Sequence, residues 1–152
     1  MDHYRNPHLP SPGLLIRDAG LFILRWCAGL ALAFFHAWDE VMAGWKHVWE
    51  KAAWPYAAEI AERGFPLPVA VAVASAVIAL LGSIFLITGL LCRASALVLL
   101  VCTIMGIFLY WRIPETGEKL MLYAGIYFVL VICGPGRFSL DALIGSRRTS
   151  KK

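Results

Sequence analysis

Four long apolar segments, Ala19 to Trp38, Val69 to Leu91, Ala94 to Trp111 and Leu120 to Cys133, fill most of the chain, and nearly every charge lies between them. A helix needs about 20 apolar residues to cross the hydrocarbon core of a bilayer. The second segment meets that length without a charge, the third nearly does, and the first does so with Arg25 inside it. The fourth is short enough that a re-entrant segment is an alternative to a full span. With 60% hydrophobic and 16% charged residues, the chain is too apolar for a soluble domain, whose charged fraction is about a quarter. The sequence predicts an all-α integral membrane four-helix bundle with an external amphipathic helical connection between helices one and two. Its immediate partner is the lipid bilayer.

If all four segments cross, both termini and the connection at Cys92-Arg93 share one side. That side then carries Arg5, Arg17, Arg93, Arg137, Arg147, Arg148, Lys151 and Lys152, against Lys46, Lys51, Arg63, Arg112 and Lys119 opposite. Basic residues accumulate on the cytoplasmic side of membrane proteins. The expectation is a bacterial inner-membrane protein with both termini cytoplasmic: a tail over 1–18, a membrane domain over 19–143 and a basic tail over 144–152. The net charge of +4 is scattered over connections and concentrated in the last tail, which suits the anionic inner leaflet and not nucleic acid.

The connection from Asp39 to Pro68 holds Glu50, Glu59 and Glu62 among Ala, Trp, Tyr and Ile, a pattern for one or two short amphipathic helices over Val48 to Arg63, broken at Pro55. Trp38, Trp45, Trp49, Trp54 and Trp111 all fall at this face, where indole rings favour the headgroup level; an aromatic substrate cage is the alternative. In the second segment Ser75, Gly82 and Gly89 recur at sevens, giving one smooth helical strip for close backbone contact.

Polar residues inside membrane segments are costly, so they mark where chemistry could reside. Arg25, Gly29, Leu32, His36 and Glu40 step by four, three, four and four, which keeps them on one stripe of an α-helix. Arg25 either snorkels toward the headgroups or lines a pocket. His36 is either an interfacial hydrogen-bonding residue or a proton-exchanging one. Glu118 either begins the fourth helix, where an acid is favoured by the helix dipole, or meets His36 at the outer end of the bundle. Tyr123 and Tyr127 follow on later turns. Four cysteines, Cys27, Cys92, Cys102 and Cys133, form no CxxC pair and read as small apolar side chains buried between helices, with a regulatory Cys92–Cys133 thiol pair as the alternative. No metal site is expected. A haem held by two histidines needs a second imidazole at membrane depth, whereas His3 and His8 are in the tail and His47 is in the connection. No Gly-rich phosphate loop and no nucleophile triad is present.

The chain resembles the DoxX family of four-helix membrane proteins. The ending Gly134-Pro135-Gly136-Arg137-Phe138-Ser139-Leu140-Asp141 is similar to that family's GPGR-aromatic-SLD ending, and four other places agree in order: Leu24-Arg25 with Gly29 and His36, Gly64-Phe65-Pro66-Leu67-Pro68, Gly89-Leu90-Leu91-Cys92-Arg93, and Gly117-Glu118. Two departures accompany these. Where many relatives read HGxxK the chain has His36-Ala37-Trp38-Asp39-Glu40, and where many carry a helix-two acid in an ELLGG-like run it has Ala79-Leu80-Leu81-Gly82-Ser83. The resemblance implies an association with membrane redox systems.

With no flavin, metal or nucleotide motif, the chain carries no intrinsic electron carrier. The leading expectation is therefore a small membrane subunit of a larger redox or respiratory, quinone-linked complex. It would not be catalytic alone, and Arg25, Gly29, His36, Glu118 and Tyr123 would line a pocket for a quinone or bound lipid. The alternative is a scaffold or assembly subunit that contacts its complex through Ser75, Gly82 and Gly89 and through Trp45 and Trp49. A transporter fits least, because helix two offers a conduction path no polar lining.

Overall fold

The computed structural model describes residues 12–110 and 113–143; the expectations for residues 1–11, for Trp111 and Arg112 and for the tail 144–152 fall outside them. Among the described residues there are helices and no strand. The order is α1 (Pro12–Leu32), a five-residue π-helical turn (Ala33–Ala37), α2 (Trp38–Glu50), α3 (Pro55–Glu62), α4 (Pro68–Thr88), α5 (Cys92–Tyr110) and α6 (Pro114–Cys133). Proline opens α3, α4 and α6, where its missing N–H costs nothing. Gly89, at φ +69°, closes α4 in the left-handed conformation that glycine adopts freely.

Four helices are long and apolar enough to cross a membrane: Gly13–Glu50, Pro68–Thr88, Cys92–Tyr110 and Glu115–Cys133. The fourth is longer than its apolar run, because Glu115, Glu118 and Lys119 belong to its first turns. This removes the length argument for a re-entrant segment.

Helix one departs most from expectation. It starts at Pro12 rather than near Ala19, and it continues without interruption through Asp39 to Glu50. The polar residues after Trp38 suggested an exit from the membrane, but α2 still packs on α4. Gly29 lies against Ser83 and Ile87, and Gly89 lies against Arg25; carried on residue by residue, that register sets the start of α4 level with the middle of α2. The connection shrinks accordingly to α3 and its flanks. Trp54, expected in an interfacial belt, is buried, and its indole donates to Glu40 at 2.9 Å. Trp38, Trp45 and Trp49 are exposed, the last two with ring centroids 5.3 Å apart.

The π turn alters the face that helix one presents. The Trp38 N–H bonds the carbonyl of Ala33, five residues back, so one extra residue is accommodated. Arg25, Ala28, Gly29 and Leu32 are buried, but the next buried position is Ala37 and not His36. The stripe read from the sequence is thus broken between Leu32 and His36.

Lipid gives helices no hydrophobic reason to associate, so close packing of small residues and polar contacts join them. Gly29, Ala37, Ala72, Ala76, Ala79, Gly82 and Ala96 are buried between helices, while large side chains such as Ile23, Leu81, Val101 and Phe128 face outward. A methyl on Gly82 would meet Leu99 of α5 at 2.8 Å. The Gly82 and Gly89 strip is therefore spent on packing within the chain, not on a partner.

Where both described ends meet, Arg25 is 1% exposed and donates to the carbonyls of Pro135 and Phe138 at 2.8 and 2.7 Å. Nothing about it snorkels. It stands level with the ends of α4 and α6, at the rim of the bundle and not in the inner half of a span. Asp141 accepts the Leu91 and Cys92 N–H groups at 2.8 and 3.0 Å, capping α5, and Ser139 donates to Gly136. Asp18, assigned to the tail by the sequence, is buried beside Gly136 with Arg17 at 3.6 Å. All four cysteines are free, and only Cys92 is buried, so the expectation of buried thiols holds at that position alone.

Hydrogen bonds to charged groups contribute about 1.5–3 kcal/mol each. Arg25→Ala is expected to lower the stability of the detergent-solubilised protein by about 3 kcal/mol, and Arg25→Lys to recover less than half of that, because one ammonium reaches the two carbonyls poorly. Thermal unfolding checks both. Deleting Phe35 should convert the π turn to regular α-helix with α2 kept in phase and the Glu40–Trp54 bond retained, whereas inserting one alanine after Leu32 should rotate α2 by roughly 100° and separate that pair; a red-shifted tryptophan emission in the insertion variant alone is the expected sign.

Candidate functional site

A cavity of about 840 Å³ runs between the helices, within the size range of small-molecule sites. Each helix contributes a stripe at helical spacing. From α1 and the π turn come Leu24, Ala28, Leu32, Phe35 and His36; from α4, Ser75, Ile78 and Ala79; from α5, Leu99, Thr103, Gly106 and Tyr110; from α6, Thr116, Lys119, Tyr123 and Tyr127. Tyr56 of α3 adds to the wall. The exposed lining residues are Cys27, Phe35 and His36 on the side of helix one, Lys119 and Leu122 on α6, and Cys102 on α5, and most of them place the opening between α1 and α6. Those two helices pack together sparsely, whereas α5 and α6 pack closely. The cavity is a lateral cleft, held at one end by the Arg25 clamp.

Polar groups along the cleft sort by whether they already have partners. The Ser75 and Thr103 hydroxyls donate to Ala72 and Leu99 in their own helices, and Tyr110 donates to Glu59 at 3.0 Å. Lys119, Tyr123 and Tyr127 do not: they occupy one face of α6 at four-residue steps, and none makes a hydrogen bond among the described residues. The two tyrosine rings stack with centroids 6.0 Å apart. Tyr127 is only 1% exposed as a residue, and its hydroxyl is the part that opens on the cleft. This ladder of donors faces apolar α1, and it is the part of the site that can recognise a ligand.

Of the residues expected to form the site, the structure brings His36 and Tyr123 to the cleft, with Ser75 beside them. Arg25 and Gly29 are elsewhere, the first in the clamp and the second against Ile87. Glu118 is exposed and lies outside the lining; no contact with His36 is formed. Its phase explains this, since the lining face of α6 runs through positions 116, 119, 120 and 123, and position 118 points away. Glu40, where many relatives were expected to carry Lys, accepts the Trp54 N–H. Ala79, where an acid was expected in many relatives, is buried on the cleft wall, so that wall is apolar here. Among the described residues no three His, Cys, Asp or Glu side chains gather as a metal site.

Tyr127 and Lys119 were not singled out from the sequence, although their spacing to Tyr123 was a legible signal. The lid was also missed. Helix α3 is latched over the opposite end of the cleft by Arg63, which pairs with Glu59 at 2.7 Å, donates to the Leu109 carbonyl at 2.7 Å and stacks over the Tyr110 ring at 3.8 Å. Its flanks turn at Lys51, Gly64 and Leu67, all at positive φ.

A family model, DoxX, matches residues 20–111, which run from α1 to the end of α5. The match stops before α6 and the 134–141 turn. No curated protein and no solved structure matches the chain.

Removing about 1.5 kcal/mol of charged hydrogen bonding from the latch should free α3 before it affects the bundle. In Glu59→Gln with Arg63→Gln, hydrogen exchange over 51–67 is expected to rise roughly ten-fold while α4 and α5 stay protected.

Proposed function

The chain belongs to the DoxX family, and within that family we propose that it is a ligand-binding integral membrane subunit whose lateral cleft holds a quinone or a lipid. One observation carries this reading: Tyr123 and the nearly buried Tyr127 present unpartnered hydroxyls into an otherwise apolar cleft. A carbonyl, ester or phosphate oxygen of a membrane-dissolved molecule satisfies them, and its tail suits the Leu24, Ala28 and Leu32 wall. The opening between α1 and α6 lets such a molecule enter from the bilayer. His36 stands at the mouth of this path.

The redox link rests on the family resemblance. With no metal cluster among the described residues and no flavin or nucleotide motif in the sequence, electron transfer would fall to a partner, so the chain is an accessory subunit and not an enzyme alone. The basic C-terminal tail favours cytoplasmic termini in a bacterial inner membrane.

A scaffold role is the second reading, and the exposed Trp45–Trp49 pair on α2 supports it. Copurification with a larger complex, lost in Trp45→Ala with Trp49→Ala but kept in Tyr123→Phe with Tyr127→Phe, is the outcome that reading requires.

For the leading reading, protein purified from native membranes should carry a quinone or lipid at near-stoichiometric occupancy by extraction and mass spectrometry. Tyr123→Phe with Tyr127→Phe is expected to lower that occupancy about ten-fold, since each lost hydrogen bond contributes roughly 0.5–1.5 kcal/mol, at unchanged melting temperature. A chain that carries nothing, or a double variant as fully loaded as the parent, would defeat it.

A further inference from the structure

Resting on the cleft reading, we infer that the molecule held is an acidic amphiphile, with a carboxylate or phosphate head at Lys119 and its chain along α1, and not a neutral quinone. Among the described residues, Lys119 is the one Asp, Glu, Lys or Arg on the cleft wall. It makes no hydrogen bond or ion pair among the described residues. Lys119 stands exposed at the mouth of the cleft, where its ammonium is the charge that the head of an entering molecule meets, and no acid of the described lining stands beside it. Several carboxylates are engaged, and others stand exposed outside the lining, Glu115 among them one helical turn before Lys119. Glu40 holds Trp54 and Glu59 holds Arg63 and Tyr110, while Asp39, Glu115 and Glu118 are exposed outside the lining.

The other groups on this wall agree. Lys119 and Tyr123 stand one helical turn apart, about 6 Å along the axis, and both offer donors to one acceptor-rich head. A cationic head would meet the like charge of Lys119 and find no acid. A neutral quinone would satisfy the tyrosines but gain nothing from the charge of Lys119. An acidic head satisfies both, with the chain lying against Leu32, Ala28 and Leu24 on the facing helix.

The test compares matched probes on delipidated full-length protein in detergent: oleate, oleoyl lysophosphatidate, oleyl alcohol and decylubiquinone. At least one of the two acids should bind about ten-fold or more tighter than the alcohol and the quinone, as a charged hydrogen bond predicts. Which acid leads distinguishes a carboxylate head from a phosphate. Lys119→Gln should collapse the preference to within about two-fold, while Lys119→Arg keeps it. If the alcohol or the quinone binds as tightly as both acids, or if Lys119→Gln retains the preference, the acidic-head inference is overturned and the cleft reading survives. If none of the four binds, the cleft reading fails and the inference fails with it.

Discussion

The Arg25 guanidinium holds this architecture together. In a bilayer the two antiparallel pairs, α1 with α4 and α5 with α6, gain nothing from hydrophobic burial against each other. Packing between α4 and α5, with Gly82 on Leu99, joins them along one side. Arg25 joins them on the other by reaching from α1 to the carbonyls beyond the end of α6. Several neighbours are fitted to that reach. A methyl on Gly89 would lie 2.5 Å from the guanidinium, and Asp141, on the same turn that Arg25 grips, ties the α4–α5 connection through the N–H groups of Leu91 and Cys92. The 134–141 segment is thus a structural fastening.

Fastening α1 to α6 at one end only is what leaves a cleft between them. Toward the other end the wall is filled out by small or interrupted elements: Ala28 and Ala31 on α1, Gly106 on α5, and the π turn, which takes a step of five residues from the buried Leu32 to the buried Ala37. The extra residue moves His36 off the packed face and out to the mouth. π turns inside α-helices often occur at functional sites, and here the turn places a titratable ring where a ligand would enter. The latch formed by Glu59, Arg63 and Tyr110 then fixes α3, and Tyr56 with it, at the far end.

The spans were legible in the sequence because hydropathy over about 20 residues depends on solvent alone. The end of helix one was not, because Asp39 and Glu40 read as an exit from the membrane, whereas Glu40 is partnered by Trp54, fourteen residues on, a pairing no local pattern contains. Arg25, Gly89 and the 134–141 motif were each visible as letters, but that they are one contact requires the fold. In the candidate site, His36 and Tyr123 were found and Glu118 was misplaced by a single position of helical phase. The α-helical stripe through Arg25, His36 and Glu40 failed for a related reason: a π turn leaves no clear mark in the residues Ala33-Phe34-Phe35-His36-Ala37, and one inserted residue rotates everything that follows by about 100°.

The two ends of the bundle differ in what their polar groups still lack, and that difference separates structure from recognition. At the clamp, the Arg25 NH1 and NH2 donors, the Ser139 hydroxyl and both Asp141 oxygens meet partners within the chain and hold the fold, while Arg25 Nε and both Asp18 carboxylate oxygens are buried outside the cleft lining without a hydrogen bond among the described residues. In the cleft, Lys119, Tyr123 and Tyr127 keep their donors unspent although hydrogen bonds within the chain were open to Ser75, Thr103 and Tyr110 close by. These donors open on the cleft and, at Lys119, on the surface, so they are free to meet an acceptor that arrives. The residues that first drew attention as the polar exceptions in apolar segments therefore divide: Arg25 belongs to the fold, and the α6 ladder, with His36 at its mouth, belongs to binding.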